Sequence, residues 1–89
     1  MSWNVTVSKK ASKRAKKLPR GIWNLLEALL LDLAKTGPVQ YEWPGYSKLI
    51  HGRYHCHLSY DYVAVWIVVD EKIKLLEVTY VGSREDAPY

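Results

Sequence analysis

Apolar and polar residues alternate through Trp3-Asn4-Val5-Thr6-Val7, the period of a short half-buried strand. The period then lengthens. Behind Ser8, a residue type suited to a helix N-cap, Ala11, Ala15 and Leu18 recur at i, i+4 and i+7 as a narrow apolar stripe. Pro19 suits the first turn of a second helix, which GIWNLLEALLLDLAK continues. Its stripe is Ile22, Leu25, Leu26, Leu29 and Leu33, widened by Trp23 and Leu30, with Leu31 on the opposite side and expected in solvent. Thr36-Gly37-Pro38 stops the helix.

Downstream the period shortens again. Tyr46–Ile50, Gly52–Ser59, Tyr62–Val69 and Ile73–Val81 read as strands, with turns at Ser59-Tyr60-Asp61 and Asp70-Glu71-Lys72. The short connections make the last three an antiparallel meander. VAVWIVV is apolar on both faces and is expected to be central and covered on each side. The predicted order is β-α-α-β-β-β-β: an α+β domain with two N-terminal helices on one face of a curved, mainly antiparallel sheet. The 89 residues form a single domain, 1–89, with no repeat or linker.

Alternation also sorts the residues of GRYHCHL. Tyr54, Cys56 and Leu58 share the face expected under the helices, while Arg53, His55 and His57 share the other. On the last strand, Leu76, Val78 and Tyr80 fall on one face and Glu77 and Thr79 on the other. Whether Glu77 joins the histidines depends on strand register.

Charge changes the picture. Residues 1–20 hold Lys9, Lys10, Lys13, Arg14, Lys16, Lys17 and Arg20 with no acid, a local charge of +7. The other 69 residues hold six Lys/Arg against nine Asp/Glu, giving −3 and the net +4. A basic end on a mildly acidic body suggests a polyanionic partner, with Lys13, Arg14, Lys16 and Lys17 as docking residues and Lys48 and Arg53 as further substrate contacts. A solvated helix face is the plainer alternative. No apolar run approaches the roughly 18 residues of a membrane span. The N-terminus has no secretory apolar core, which makes the cytoplasm the expected location. Cys56, the only cysteine, cannot form an internal disulfide.

A His-x-His pair on a strand can hold a metal, but such a site needs further ligands, and the sequence contains no second His/Cys pair. No metal or cofactor is expected. Proton transfer suits the pair better, because imidazole titrates near neutrality. Arg53 and Arg84 are suited to a phosphate. A base, an acid and fixed cations are the parts needed to transesterify RNA through its own 2′-hydroxyl.

The order of elements, with KLPRGIWNLL, YSKLIHGRYHCHL, VAVWIVVD and YVGSREDAPY, resembles the RelE/ParE toxin superfamily across nearly the whole chain. The most specific parts are the Lys48–Leu58 stretch and the closing Val81-Gly82-Ser83-Arg84-Glu85 with Tyr89. The resemblance implies the toxin of a toxin–antitoxin pair. Its RelE branch implies an endoribonuclease that cuts messenger RNA on the ribosome. The implied partners are a cognate antitoxin, the ribosome and mRNA, with the free protein monomeric and the complex oligomeric. A ParE-like inhibitor of DNA gyrase and a non-catalytic binding relative are the alternatives. By the same resemblance Arg84 matches an arginine near the scissile phosphate, and Tyr89 lies one residue short of a C-terminal tyrosine. His55 and His57 fall where RelE has two lysines, making them, with Arg84 and Tyr89, the catalytic candidates. Val63 stands where RelE has another arginine, and Arg53 is a candidate to replace that charge.

Overall fold

A computed structural model describes residues 2–89. Strand β1 (Asn4–Val7) leads into helices α1 (Lys9–Ala15) and α2 (Arg20–Thr36), followed by strands β2 (Ser47–Lys48), β3 (Arg53–His57), β4 (Tyr62–Asp70) and β5 (Leu75–Ser83). The sheet order is β1-β5-β4-β3-β2, with β1 parallel to β5 and every other pair antiparallel. The architecture is the expected α+β one. A helical crossover separates β1 from the meander, as parallel pairing requires.

Local chemistry accounts for the helix ends. The Ser8 hydroxyl accepts from the Ala11 amide at 3.1 Å and caps α1. Pro19 is the N-cap of α2 rather than a residue of its first turn, and its carbonyl receives the Trp23 amide at 2.9 Å. Gly37 ends α2 at φ +86°, and any Cβ there would meet the Trp3 indole at 2.6 Å. The Trp3 amide donates to Ala34, tying the start of β1 to the end of α2.

The core lies between the helices and one sheet face. Leu26, Leu29 and Leu33 of α2 and Ala11 and Ala15 of α1 cover Cys56, Ala64, Trp66, Leu76, Val78 and Val81. Burying each of those leucines contributes on the order of 2 kcal/mol. Trp66 is fully buried, and its indole N–H donates to Pro38 at 3.0 Å, so the largest core side chain carries no unmet donor. Leu25, expected in the α2 stripe, is 38% exposed: five apolar positions over three turns make a band wider than the sheet can cover.

Two strand expectations change. Tyr46–Ile50 is extended only at Ser47–Lys48, because a 3₁₀ turn over Ile50–Gly52, with His51 and Gly52 both at positive φ, takes the rest. The central VAVWIVV is covered on both faces only from Val63 to Trp66; Val69 is 51% exposed where the strand runs out past its cover.

The third change matters most for function. Val65 pairs with Tyr80, but Trp66 pairs with Val78, leaving Thr79 as an extra residue in β5. This bulge resets the alternation. Tyr80 therefore turns to the face opposite Leu76 and Val78, where it packs with Val63 and Val65 in a second small cluster. No described helix is long and apolar enough to cross a membrane.

Candidate nucleic-acid site on the outer sheet face

The face turned away from the helices is set by register. Arg53 lines up with Ile67 and Glu77, His55 with Val65 and Tyr80, and His57 with Val63 and Gly82. Glu77 thus shares the histidine face, two strands away from Arg53. Val63 is buried in the floor of this face, next to His57. The floor is apolar at Val63, Val65 and Tyr80, and Ala87 of the C-terminal segment rests on it.

That segment crosses the face as a strap. The Ser83 hydroxyl donates to the Asp86 carboxylate at 3.2 Å and accepts from the Asp86 amide, turning the chain as it leaves β5. Arg53 Nη1 donates to the Pro88 carbonyl at 2.7 Å. Tyr89 then lies against His55, ring centroids 4.7 Å apart. Four of the sequence-predicted residues, Arg53, His55, His57 and Tyr89, therefore meet at one place.

The two imidazoles lie 5.9 Å apart, edge toward face. His57 Nδ1 is 3.2 Å from the Ser59 carbonyl. A carbonyl can only accept, so Nδ1 carries a proton and Nε2 is the nitrogen free to exchange one. His57 is positioned from its other side by the 37–46 loop. The Pro44 carbonyl receives the His57 amide at 2.7 Å, and a Cβ on Gly45 would collide with the ring. Buried Gln40, donating to Thr36 and Gly37, and Trp43, donating to the Asp32 carboxylate at 2.9 Å, tie that loop to the end of α2.

His55 Nδ1 is 3.0 Å from the Ser47 hydroxyl, its direct partner across β2 and β3. Burial pushes its pKa below the ordinary imidazole value; hydrogen bonding to the Ser47 backbone works against this, and nearby His57 adds a smaller downward push. His55 is thus a neutral base at neutral pH. Burial raises the Tyr89 phenol, with the Arg84 charge opposing it. Arg84 itself lies over the exposed Tyr60 ring at 4.6 Å, anchored by its amide to the Asp61 carbonyl. It sits at the β3–β4 turn, outside the place where Arg53, His55, His57 and Tyr89 meet, and reaches that place through its charge on the Tyr89 phenol.

Other candidates lie elsewhere. Lys48 pairs with Tyr54, with its Nζ 5.7 Å from that ring, so it belongs to the opposite face. Arg14 reaches the outer face over the Tyr80 ring at 4.9 Å. Lys13 and Lys17 line a groove with it, whereas Lys16 lies beside Arg20, Leu18 and Trp23 in a separate depression. Cys56 is fully buried on the helix face, its thiol pushed up to about 12 by burial. Among the described residues no three His, Cys, Asp or Glu side chains gather as metal ligands.

Sequence reasoning missed Ser47, Gly45, Tyr80 and the Pro88 carbonyl. A hairpin centred on the Ile50–Gly52 turn pairs position 47 with 55, so Ser47 was within reach of the pattern. The Tyr80 placement was not, since it depends on the bulge.

These features define an α+β protein with a histidine- and arginine-bearing sheet face closed by a C-terminal strap. The fold is that of the RelE-like toxins. A chain of the archaeal RelE–RelB complex from Pyrococcus horikoshii superposes with a TM-score of 0.79 at 23% identity, covering 98% of this chain and 100% of that one. The isolated E. coli RelE toxin gives 0.74 at 22% identity, covering 98% of this chain and 89% of that one. The Staphylococcus aureus YoeB–YefM complex contributes a chain at 0.73 and 17% identity, with coverages of 94% and 99%. No protein-family profile matches the chain, and no curated protein sequence does.

Proposed function

We propose that this protein is the toxin of a toxin–antitoxin pair and cleaves messenger RNA on the ribosome without a metal ion. The observation that carries the reading is the His55–His57 pair, rings 5.9 Å apart, on the strand face that also bears Arg53, with Tyr89 against His55. In the proposed reaction His55, neutral at working pH, takes the proton of the 2′-hydroxyl. The 2′-oxygen attacks phosphorus and the P–O5′ bond breaks. His57 delivers a proton from Nε2 to the departing 5′-oxygen, leaving a 2′,3′-cyclic phosphate and a 5′-hydroxyl. Arg53 and Arg84 balance the charge on the phosphorane, and Tyr89 presents a ring on which a base can stack.

Fold likeness supports the biological setting, since one similar chain comes from a RelE–RelB complex and another from the YoeB–YefM toxin–antitoxin complex. The proposed partners of this chain are accordingly an antitoxin, the ribosome and mRNA.

The test is to mix purified protein with mRNA-programmed ribosomes and map new 5′-hydroxyl ends. Cleavage by the wild type, with losses of about 10²-fold or more for His55→Ala and for His57→Ala, is expected. Intact message on ribosomes would overturn the reading; inhibited gyrase supercoiling with intact RNA would put the ParE-like activity in its place.

A further inference from the structure

Beside the upper half of β5, where β1 no longer pairs with it, α1 lies along the sheet edge. β1 occupies β5 only from Leu75 to Val78, and the Ser8 amide bonds to the Val78 carbonyl as the chain turns into α1. Between α1 and the end of β5 runs a groove of about 520 Å³ lined by Lys10, Lys13, Arg14 and Lys17 on one wall and Tyr62, Ser83 and Asp86 on the other.

The helical period selects those cations. Lys10, Lys13 and Arg14 are spaced i, i+3 and i+4 on one face of α1, and Ala11 and Ala15 point into the core. Lys17 follows in the turn just past the end of α1, where its amide bonds to the Arg14 carbonyl. Lys9 and Lys16 fall outside this face, and neither lines the groove. Four cations against the single Asp86 carboxylate leave the groove at +3. Asp86 is moreover engaged by Ser83.

The groove opens onto the histidine face. Its Gly82 stands two strands from His57, and Arg14 lies over Tyr80, which stands two strands from His55. At about 4.8 Å per strand, the groove begins roughly 10 Å from the histidines. That is too far for the scissile phosphate itself and suited to its neighbours along the chain.

We propose that the α1–β5 groove is a second phosphate site, which holds the RNA backbone flanking the scissile phosphate through Lys10, Lys13, Arg14 and Lys17. It rests on the reading that the substrate is RNA. The groove supplies register and affinity, and the histidine face supplies chemistry. Lys16, despite its charge, takes no part.

The probe is a short single-stranded oligoribonucleotide with 2′-O-methyl sugars, which cannot be cleaved. Its affinity is measured across a salt series for the whole protein. Lys10, Lys13 and Lys17 changed together to Ala should lower the slope of log Kd against log salt by about 0.7 for each phosphate that is no longer neutralised, about 2 in all. Lys9, Lys35 and Lys72 changed together to Ala remove the same charge outside the groove and should leave the slope where it was. Equal slopes in the two variants, or no binding by the wild type at low salt, would overturn the proposal. Because the probe cannot react, a protein that binds it through the groove but cuts no message sinks the endoribonuclease reading alone.

Discussion

The Tyr89 ring lies 4.7 Å from that of His55, tilted by 57°, and this contact shields the imidazole from water. The shielding acts on the proton chemistry, because burial is the largest cause of the lowered His55 pKa. Tyr89→Ala should therefore raise the His55 pKa toward the ordinary value of about 6.5. An NMR titration of the His55 ring proton reads this directly. The acid limb of the cleavage profile should move up in pH by the same amount. An unmoved His55 titration would mean that β2 and β3, rather than the strap, desolvate the ring.

The same shift makes stability depend on pH. The folded His55 pKa lies below the unfolded value of about 6.5, so between the two the unfolded chain binds more protons. Stability contributed by neutral His55 is complete above about pH 6.5 and drains away as pH falls toward the folded pKa. Urea melts taken through this window should show the wild type losing stability faster than His55→Ala. Parallel declines in the two proteins would show that His55 is not the group responsible.

Gly45 separates backbone strain from site geometry. At φ +66° a side chain is disfavoured by about 1–2 kcal/mol, and the added Cβ would also strike the His57 ring. Gly52, at φ +71°, has open space where its Cβ would go. Gly45→Ala and Gly52→Ala should both lower Tm, by about 4–8 °C per kcal/mol in a domain of this size. Only Gly45→Ala should also reduce cleavage by the folded protein, through displacement of His57. Equal activity in the two variants would separate the ring position from catalysis.

Period-two alternation was enough to place Arg53, His55 and His57 together, because β3 is regular over its whole length. It also placed Cys56 in the core. It failed at Tyr80 because a bulge is a two-strand property: Thr79 is extra only relative to β4, and nothing in LEVTYVGS marks it. Lys48 was named for its charge alone, and charge carries no face: the Ile50–Gly52 turn sets the β2–β3 register and sends Lys48 to the Tyr54 face. The strap was invisible for a different reason. Arg53 and Pro88 are 35 residues apart, and their bond uses a backbone carbonyl, which carries no sequence signature. In α2 the stripe was legible, but its edges were not. How far Leu25 and Trp23 are covered depends on the width of the sheet beneath.

Those edges bear on the partner. Leu31 is 65% exposed and Trp23 41% exposed, and Lys16 and Arg20 flank Trp23 and Leu18 in a shallow depression between the helices. Exposed Trp23 and Leu31 stand about two turns apart on α2 with Glu27 between them, and the cations lie at the Trp23 end. Such a seam suits an amphipathic segment with its acids toward Lys16 and Arg20, the kind of partner an antitoxin would present. Large exposed side chains also occur singly on ordinary surfaces, so the seam has to be tested against that plain alternative. The partner to use is the small protein encoded by the gene adjacent to this one, co-expressed with it. Leu31→Asp places a carboxylate where the partner's apolar face would rest, and should weaken the complex by about tenfold or more, a penalty of at least about 1.4 kcal/mol. Cleavage of programmed ribosomes by Leu31→Asp alone should match wild type, since α2 lies across the sheet from His55 and His57. Binding and growth rescue that survive the substitution would move the docking surface off α2. A neighbouring protein that neither binds nor relieves toxicity would count against the toxin–antitoxin pairing itself.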